Sequence, residues 1–213
     1  MPPVALATAI SVVATADPVL AALVERVGPI RHRPRSPDGP FGALVRAIVF
    51  QQLAGRAANA IHQRVRALFD GSLTPEAFLA VSDDDLRAAG LSAAKVAALR
   101  DLSAKVIDGT VVLGSGPRLS DEEIIARLVT VRGIGRWTAE MYLMFELRRL
   151  DVWPVDDLGV RQGYGLAWSL DPPPSPRQLQ PLGDRFRPYR SVVARYCWEA
   201  VALTRHGTDP SLR

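Results

Sequence analysis

Leu128-Val129-Thr130-Val131-Arg132-Gly133-Ile134-Gly135-Arg136-Trp137-Thr138-Ala139 is the stretch that decides how this chain is read. An apolar helix end runs into Gly-Ile-Gly, and good helix formers resume directly afterwards. Two glycines flanking one apolar residue permit a tight turn whose backbone amides project outward. Those amides lie at the N-terminus of the next helix, where unpaired N–H groups and the helix dipole favour a phosphate. Ile134 suits an inward-pointing anchor, and Arg132 and Arg136 stand where they could add charge beside that phosphate. The same letters fit an ordinary corner between two helices with a glycine C-cap. Spacing alone leaves both readings open.

Downstream, Trp153-Pro154-Val155-Asp156-Asp157-Leu158-Gly159-Val160 sets two adjacent carboxylates ahead of another helical stretch. One of them should cap that helix by accepting its first amides. Catalysis is the other use for such a carboxylate, and the two uses can fall to neighbours. Upstream lies Phe41-Gly42-Ala43-Leu44-Val45-Arg46-Ala47-Ile48-Val49-Phe50-Gln51-Gln52-Leu53, in which Leu44, Val45 and Ile48 share one helical face. Apolar spacing resumes at Ala57, Ile61, Val65 and Leu68, so Gln51-Gln52 and Gly55 read as a bend between two helices.

The rest of the pattern is helical almost throughout. Asp17-Pro18 reads as an N-cap with a helix-starting proline, and Gly28-Pro29 as a stop. Residues 31–40 form an irregular basic connector. Thr74-Pro75-Glu76, Ser82 to Asp85, and Ser92 open short helices, the last running to about Ile107. A polar loop at Gly114-Ser115-Gly116-Pro117 precedes a capping box at Ser120 and Glu123. Helices are expected at about 136–149, 157–168 and 191–206, with a proline-rich segment at 171–176. Only Thr110 to Leu113 hints at a strand, so the fold class is all-α.

Composition narrows the function. With 26 basic and 22 acidic residues the net charge is +4 and the pI about 9.7, which fits a polyanion partner without requiring one. Lys95 and Lys105 are the only lysines; the arginine bias suits phosphate recognition, and equally a GC-rich genome. Cys197 is the only cysteine, which excludes an intramolecular disulfide and a four-cysteine metal or iron–sulfur site. His32, His62 and His206 show no metal-ligand spacing. The apolar stretch from Pro2 to Ala16 lacks a charged n-region and reads as a packed helix; no later stretch is long enough to span a membrane. The expected location is the cytoplasm.

The three quoted segments, in this order and spacing (157 − 135 = 22 residues from the second glycine to Asp157), resemble the helix-hairpin-helix superfamily of base-excision DNA glycosylases. The Phe41–Leu53 segment is similar to its alkyladenine branch, and the likeness extends from about residue 41 to about residue 205. It implies one glycosylase unit over 1–213 with two helical lobes and an active-site cleft between them. The expected lobes are 41–150, containing the hairpin 128–138, and 1–40 with 151–213, without the N-terminal sheet domain of some larger relatives. Asp157 matches the family's catalytic aspartate; Asp156 matches a variable position and stands second. Lyase members carry a Schiff-base lysine where this chain has Trp137, so a monofunctional enzyme is implied.

The resemblance also implies partners for each part of the DNA. Trp137 and Tyr189 match pocket aromatics, which would stack on a flipped, cationic alkylpurine. Met141 and Leu158 stand where some relatives have further tyrosines. Gln52 matches the side chain that fills the gap in the base stack, with Gln51 as its neighbouring candidate. Arg132, Gly133, Ile134, Gly135, Arg136 and Thr138 of the hairpin, with Lys95 and Arg190, are the implied DNA-binding residues. Trp153, Trp168 and Trp198 are read as core. A structural Na+ or K+ would sit on the carbonyls of Leu128, Val131 and Gly133, and no catalytic cofactor is implied.

The chemistry is coherent with one carboxylate. Cleaving an N-glycosidic bond puts positive charge on the deoxyribose, which a fixed carboxylate stabilises while orienting water. N3- and N7-alkylated purines are already charged, so they leave with little acid catalysis. The expected substrates are 3-methyladenine and 7-methylguanine in duplex DNA, acted on by a monomer. The rivals are a glycosylase for deaminated or oxidised bases and a module that binds damage without cutting; a pure binder has no use for a carboxylate facing phosphates.

Overall fold

The computed structural model describes residues 4–114 and 119–205; the Ser115-Gly116-Pro117 part of the expected loop, Pro2 and His206 lie outside them. In chain order the helices are α1 (Leu6–Ala16), α2 (Pro18–Val27), α3 (Gly39–Phe50), α4 (Gly55–Arg66), α5 (Pro75–Ala80) and α6 (Asp83–Ala88). They continue as α7 (Ala93–Ile107), α8 (Asp121–Leu128), α9 (Arg136–Phe145), α10 (Leu158–Ala167), α11 (Pro176–Leu182) and α12 (Arg190–Arg205). A 3-10 turn spans Asp184–Phe186, and no strand occurs among the described residues. The chain divides into two compact units, Pro34–Leu147 and Met1–Arg33 with Arg148–Arg213, where the sequence suggests cuts near 41 and 150.

In the Pro34–Leu147 unit, α3 buries Phe41, Leu44, Val45, Ile48 and Val49. Leu99 and Leu102 of α7, Ile124 and Leu128 of α8, and Leu143 of α9 complete that core. Caps begin the helices where the sequence puts them. Thr74, Ser82 and Ser92 each accept an amide of the first turn, and Ser120 with Glu123 forms a full capping box. Helix α9 stops at Phe145, short of the expected 149. The amides of Glu146 and Leu147 both turn back onto the Tyr142 carbonyl, and Arg148 then takes φ +57, which a continuing helix cannot accommodate.

In the other unit, Asp17 caps α2 through bonds to Val19 and Leu20 amides. Its second oxygen receives the Trp168 indole N–H at 3.2 Å and Arg185 at 3.1 Å. Helices α10 and α12 pack closely at Gly163, where a Cβ would fall 1.9 Å from the Cys197 carbonyl oxygen. Cys197 itself is fully buried. Helix α11 and the turn after it are additions to the sequence expectation, which has only a proline-rich segment there. Ser175 and Gln178 form a capping box around Pro176, Leu179 is buried, and the indole N–H of Trp153 donates to the Leu179 carbonyl at 3.0 Å.

Candidate functional site

The hairpin forms from the end of α8 to the start of α9. Val131 and Ile134 are buried, and their turn closes through amide bonds of Val131 to Leu128 and of Ile134 to Val131, each 3.0 Å. Gly133 adopts φ +79, a conformation that selects glycine. Gly135 is the N-cap of α9 at ordinary φ and supplies no side-chain acceptor to the first turn. A Cβ there would meet no atom of the protein within 4 Å. The backbone at 135 is therefore open to the approach of an outside group, with the positive end of α9 behind it.

Not every hairpin side chain faces outward. Arg132 is exposed, while its amide donates to Asp101 Oδ2 at 2.7 Å. Thr138, in the first turn of α9, is only 6% exposed, so its side chain packs into the unit. Arg136 is bound to both Glu122 oxygens, at 2.5 and 3.0 Å, and to Glu140 at 3.0 Å. Those carboxylates raise its pKa and neutralise charge that the sequence assigns to phosphate. Trp137 is 49% exposed and Met141 half-buried, so neither is a packed core residue. The carbonyls of Leu128, Val131 and Gly133 accept from the Val131 amide, the Ile134 amide and Gln51 Nε2 respectively.

The bend after α3 lies against this hairpin within the same unit. Gln52 is exposed and holds φ +57, a strained conformation for a residue with a side chain. Gln51 points its amide the other way, donating from Nε2 to the Gly133 carbonyl at 2.9 Å. Lys95 of α7 donates to the carbonyls of Val49 at 2.7 Å and Gln51 at 3.0 Å. Its ammonium thus caps the C-terminal end of α3, where the helix dipole favours a cation.

In the other unit Asp157 is the N-cap of α10. Its Oδ1 accepts the Val160 amide at 2.8 Å and the Trp198 indole N–H at 2.9 Å. Gly159 makes room for this, since a Cβ there would lie 2.8 Å from Trp198 Cδ1 and 3.1 Å from Asp157 Oδ1. Asp156 is exposed. Leu158 is 57% exposed and Tyr189 half-buried. Trp153 is core, whereas Trp198, grouped with it in the sequence, is half-buried and holds the carboxylate. Arg190 is only 8% exposed and is occupied by Asp151, with Nε to Oδ1 at 2.7 Å and Nη2 to Oδ2 at 3.0 Å. It braces the entry to α12 through Asp151. No cluster of metal-ligating side chains occurs among the described residues.

A family model for the HhH-GPD superfamily of base excision DNA repair proteins matches residues 45–188. DNA-3-methyladenine glycosylase 1 of Schizosaccharomyces pombe is 37% identical over 185 residues, covering 85% of this chain and 81% of that protein. The structure of the 3-methyladenine DNA glycosylase of that yeast, in complex with abasic DNA, matches with TM-score 0.76 and 35% identity over 90% of this chain and 95% of that one. A DNA-3-methyladenine glycosidase from Bacillus halodurans matches with TM-score 0.85 and 34% identity over 93% of this chain and 91% of that one. With a hairpin open at Gly135 and an aspartate capping α10, this chain belongs to the HhH-GPD superfamily of base excision DNA repair proteins, on its alkyladenine glycosylase branch.

Proposed function

We propose that this chain is a monofunctional DNA glycosylase that hydrolyses the N-glycosidic bond of 3-methyladenine and 7-methylguanine in duplex DNA, acting as a monomer. The observation that carries the reading is the fixing of Asp157 by two donors on one oxygen, at the head of α10. A carboxylate so held keeps its orientation while charge develops on the sugar, so it costs no reorganisation at the moment of reaction. Opposite unit charges at about 4 Å attract by ~4 kcal/mol at an effective dielectric of 20. That corresponds to roughly a thousandfold in rate.

Other residues take the roles their exposure permits. The α9 N-terminus at Gly135 grips a phosphate, and a Na+ or K+ would sit on the hairpin carbonyls. Gln52 enters the base stack where the damaged nucleotide leaves it. Trp137, about half exposed, offers an aromatic face to the flipped cationic base. Tryptophan at 137 offers no amine, so the product is an intact abasic strand.

The test is single-turnover release of free base from methylated duplex DNA by the wild-type protein and by Asp157→Asn. The expected result is release of 3-methyladenine or 7-methylguanine by the wild type, slowed about a thousandfold in the variant at unchanged DNA affinity. Wild-type binding without release would favour a damage-binding module. Full activity in Asp157→Asn would remove the aspartate from the mechanism.

A further inference from the structure

One face of α7 touches both elements assigned above to DNA. Lys95 donates to the carbonyls of Val49 and Gln51, which flank the start of the bend. One turn on, Ala98 lies beneath Gly133, 3.5 Å from the position of a Cβ there. The next turn brings Asp101, whose Oδ2 accepts the Arg132 amide at 2.7 Å and Lys105 Nζ at 2.8 Å. Lys105 also donates to the Thr130 carbonyl. The spacing 95, 98, 101, 105 is a single helical stripe, so these contacts form one row. Gln51 closes the circuit by its bond to the Gly133 carbonyl.

The structure assigns to α7, through Lys95, the positioning of the Gln51-Gln52 bend relative to the phosphate-gripping hairpin. This rests on the reading of Gln52 as the residue that enters the base stack. The Gln51 carbonyl belongs to the peptide leading into Gln52, the residue held at φ +57. A left-handed conformation in a residue with a side chain persists only where its surroundings enforce it. Lys95 supplies that enforcement from two carbonyls at once. Partial burial pulls its ammonium's pKa below the usual lysine range, and the two carbonyls supply the acceptors that the lost water would have given. With the brace, phosphate binding at the hairpin and insertion at the bend share one rigid frame, so the register between them is preset before the base is flipped.

The experiment compares wild type, Lys95→Met, Gln51→Ala and Gln52→Ala on a duplex with 2-aminopurine beside a tetrahydrofuran abasic analogue. The fluorescence rise on binding reports unstacking; affinity for undamaged duplex across a salt series reports phosphate contacts. Lys95→Met is expected to cut the unstacking equilibrium and the excision rate about tenfold, the effect of losing roughly one charge-assisted hydrogen bond. Its salt slope should equal that of the wild type. Gln51→Ala, which breaks the same circuit without touching Lys95, should fall in the same direction and covers the case of a misfolded Lys95→Met. A slope shallower by about one in Lys95→Met would make Lys95 a phosphate ligand and overturn the proposal. Undiminished unstacking in Lys95→Met would overturn it too, with the insertion reading intact if Gln52→Ala is impaired. Undiminished unstacking in Gln52→Ala would sink the insertion reading itself, and the positioning role with it.

Discussion

Replacing Trp198 by phenylalanine removes one N–H from Asp157 and keeps an aromatic ring on α12. Two donors meet at Oδ1, the Val160 amide at 2.8 Å and the indole at 2.9 Å, so the variant retains one of them. A hydrogen bond to a charged group contributes about 1.5–3 kcal/mol. Part of that is lost equally from the resting enzyme and the transition state, and only the difference slows the reaction. We therefore expect single-turnover excision of 7-methylguanine to slow by about tenfold, with an upper bound near a hundredfold. DNA affinity should change little, because the indole acts on the carboxylate. The smaller ring also loosens packing beside Gly159, which could slow the enzyme for another reason. A double-mutant cycle separates the two causes. In an Asp157→Asn background the Trp198→Phe change should have almost no further effect on rate. Equal slowing in both backgrounds would refute the claim that Trp198 works through Asp157.

Two more predictions concern the fold. Gly163→Ala places a carbon 1.9 Å from the Cys197 carbonyl oxygen and 2.4 Å from its carbon, so α10 and α12 must separate. An overpacking cost of about 1–3 kcal/mol or more should lower Tm by about 5–10 °C, while Gly55→Ala serves as control because nothing lies within 4 Å of its Cβ. His62 has a buried Nε2 without a hydrogen-bond partner, and burial, then Arg46 and Arg66, push its pKa below 6.5. The unfolded chain then takes up a proton on falling through 6.5 that the folded one refuses, so stability drops from there until the folded pKa is passed. The urea midpoint should fall between about pH 7.5 and about pH 5.5, and fall less in His62→Gln; equal falls would show that His62 is not responsible.

Local signals in the sequence carried far. Asp17, Ser92 and Ser120 are caps because each side chain bonds to amides two or three residues on, an interaction written in adjacent letters. Ser175-Pro176 with Gln178 carries the same signature, but Pro172, Pro173 and Pro174 before it make the region read as loop. The end of α9 has neither glycine nor proline to announce it; a backbone turn at Arg148 ends it instead. At the candidate site, the helix cap at Asp157 and the Gly-Ile-Gly turn were legible because their geometry is local. The partners of cations were not. Lys95, Arg136 and Arg190 look like DNA ligands in a one-dimensional pattern, and their acceptors at Val49, Glu122 and Asp151 lie 46, 14 and 39 residues away. Trp198 escaped for the same reason, being 41 residues from the carboxylate it holds.

The burial of Cys197 bears on the conditions under which such a protein works. Electrophiles that alkylate DNA also attack proteins, and the thiolate is the strongest nucleophile a protein side chain offers. Here the one sulfhydryl is sealed behind α10, at the point where Gly163 lets the helices meet. Burial first, and the neighbouring Asp157 charge second, push its pKa far up, so its proton stays on. The Asp157 charge thereby adds to burial in keeping the thiol protonated. A methylating agent thus meets a buried, protonated sulfhydryl at Cys197 and no exposed thiolate there.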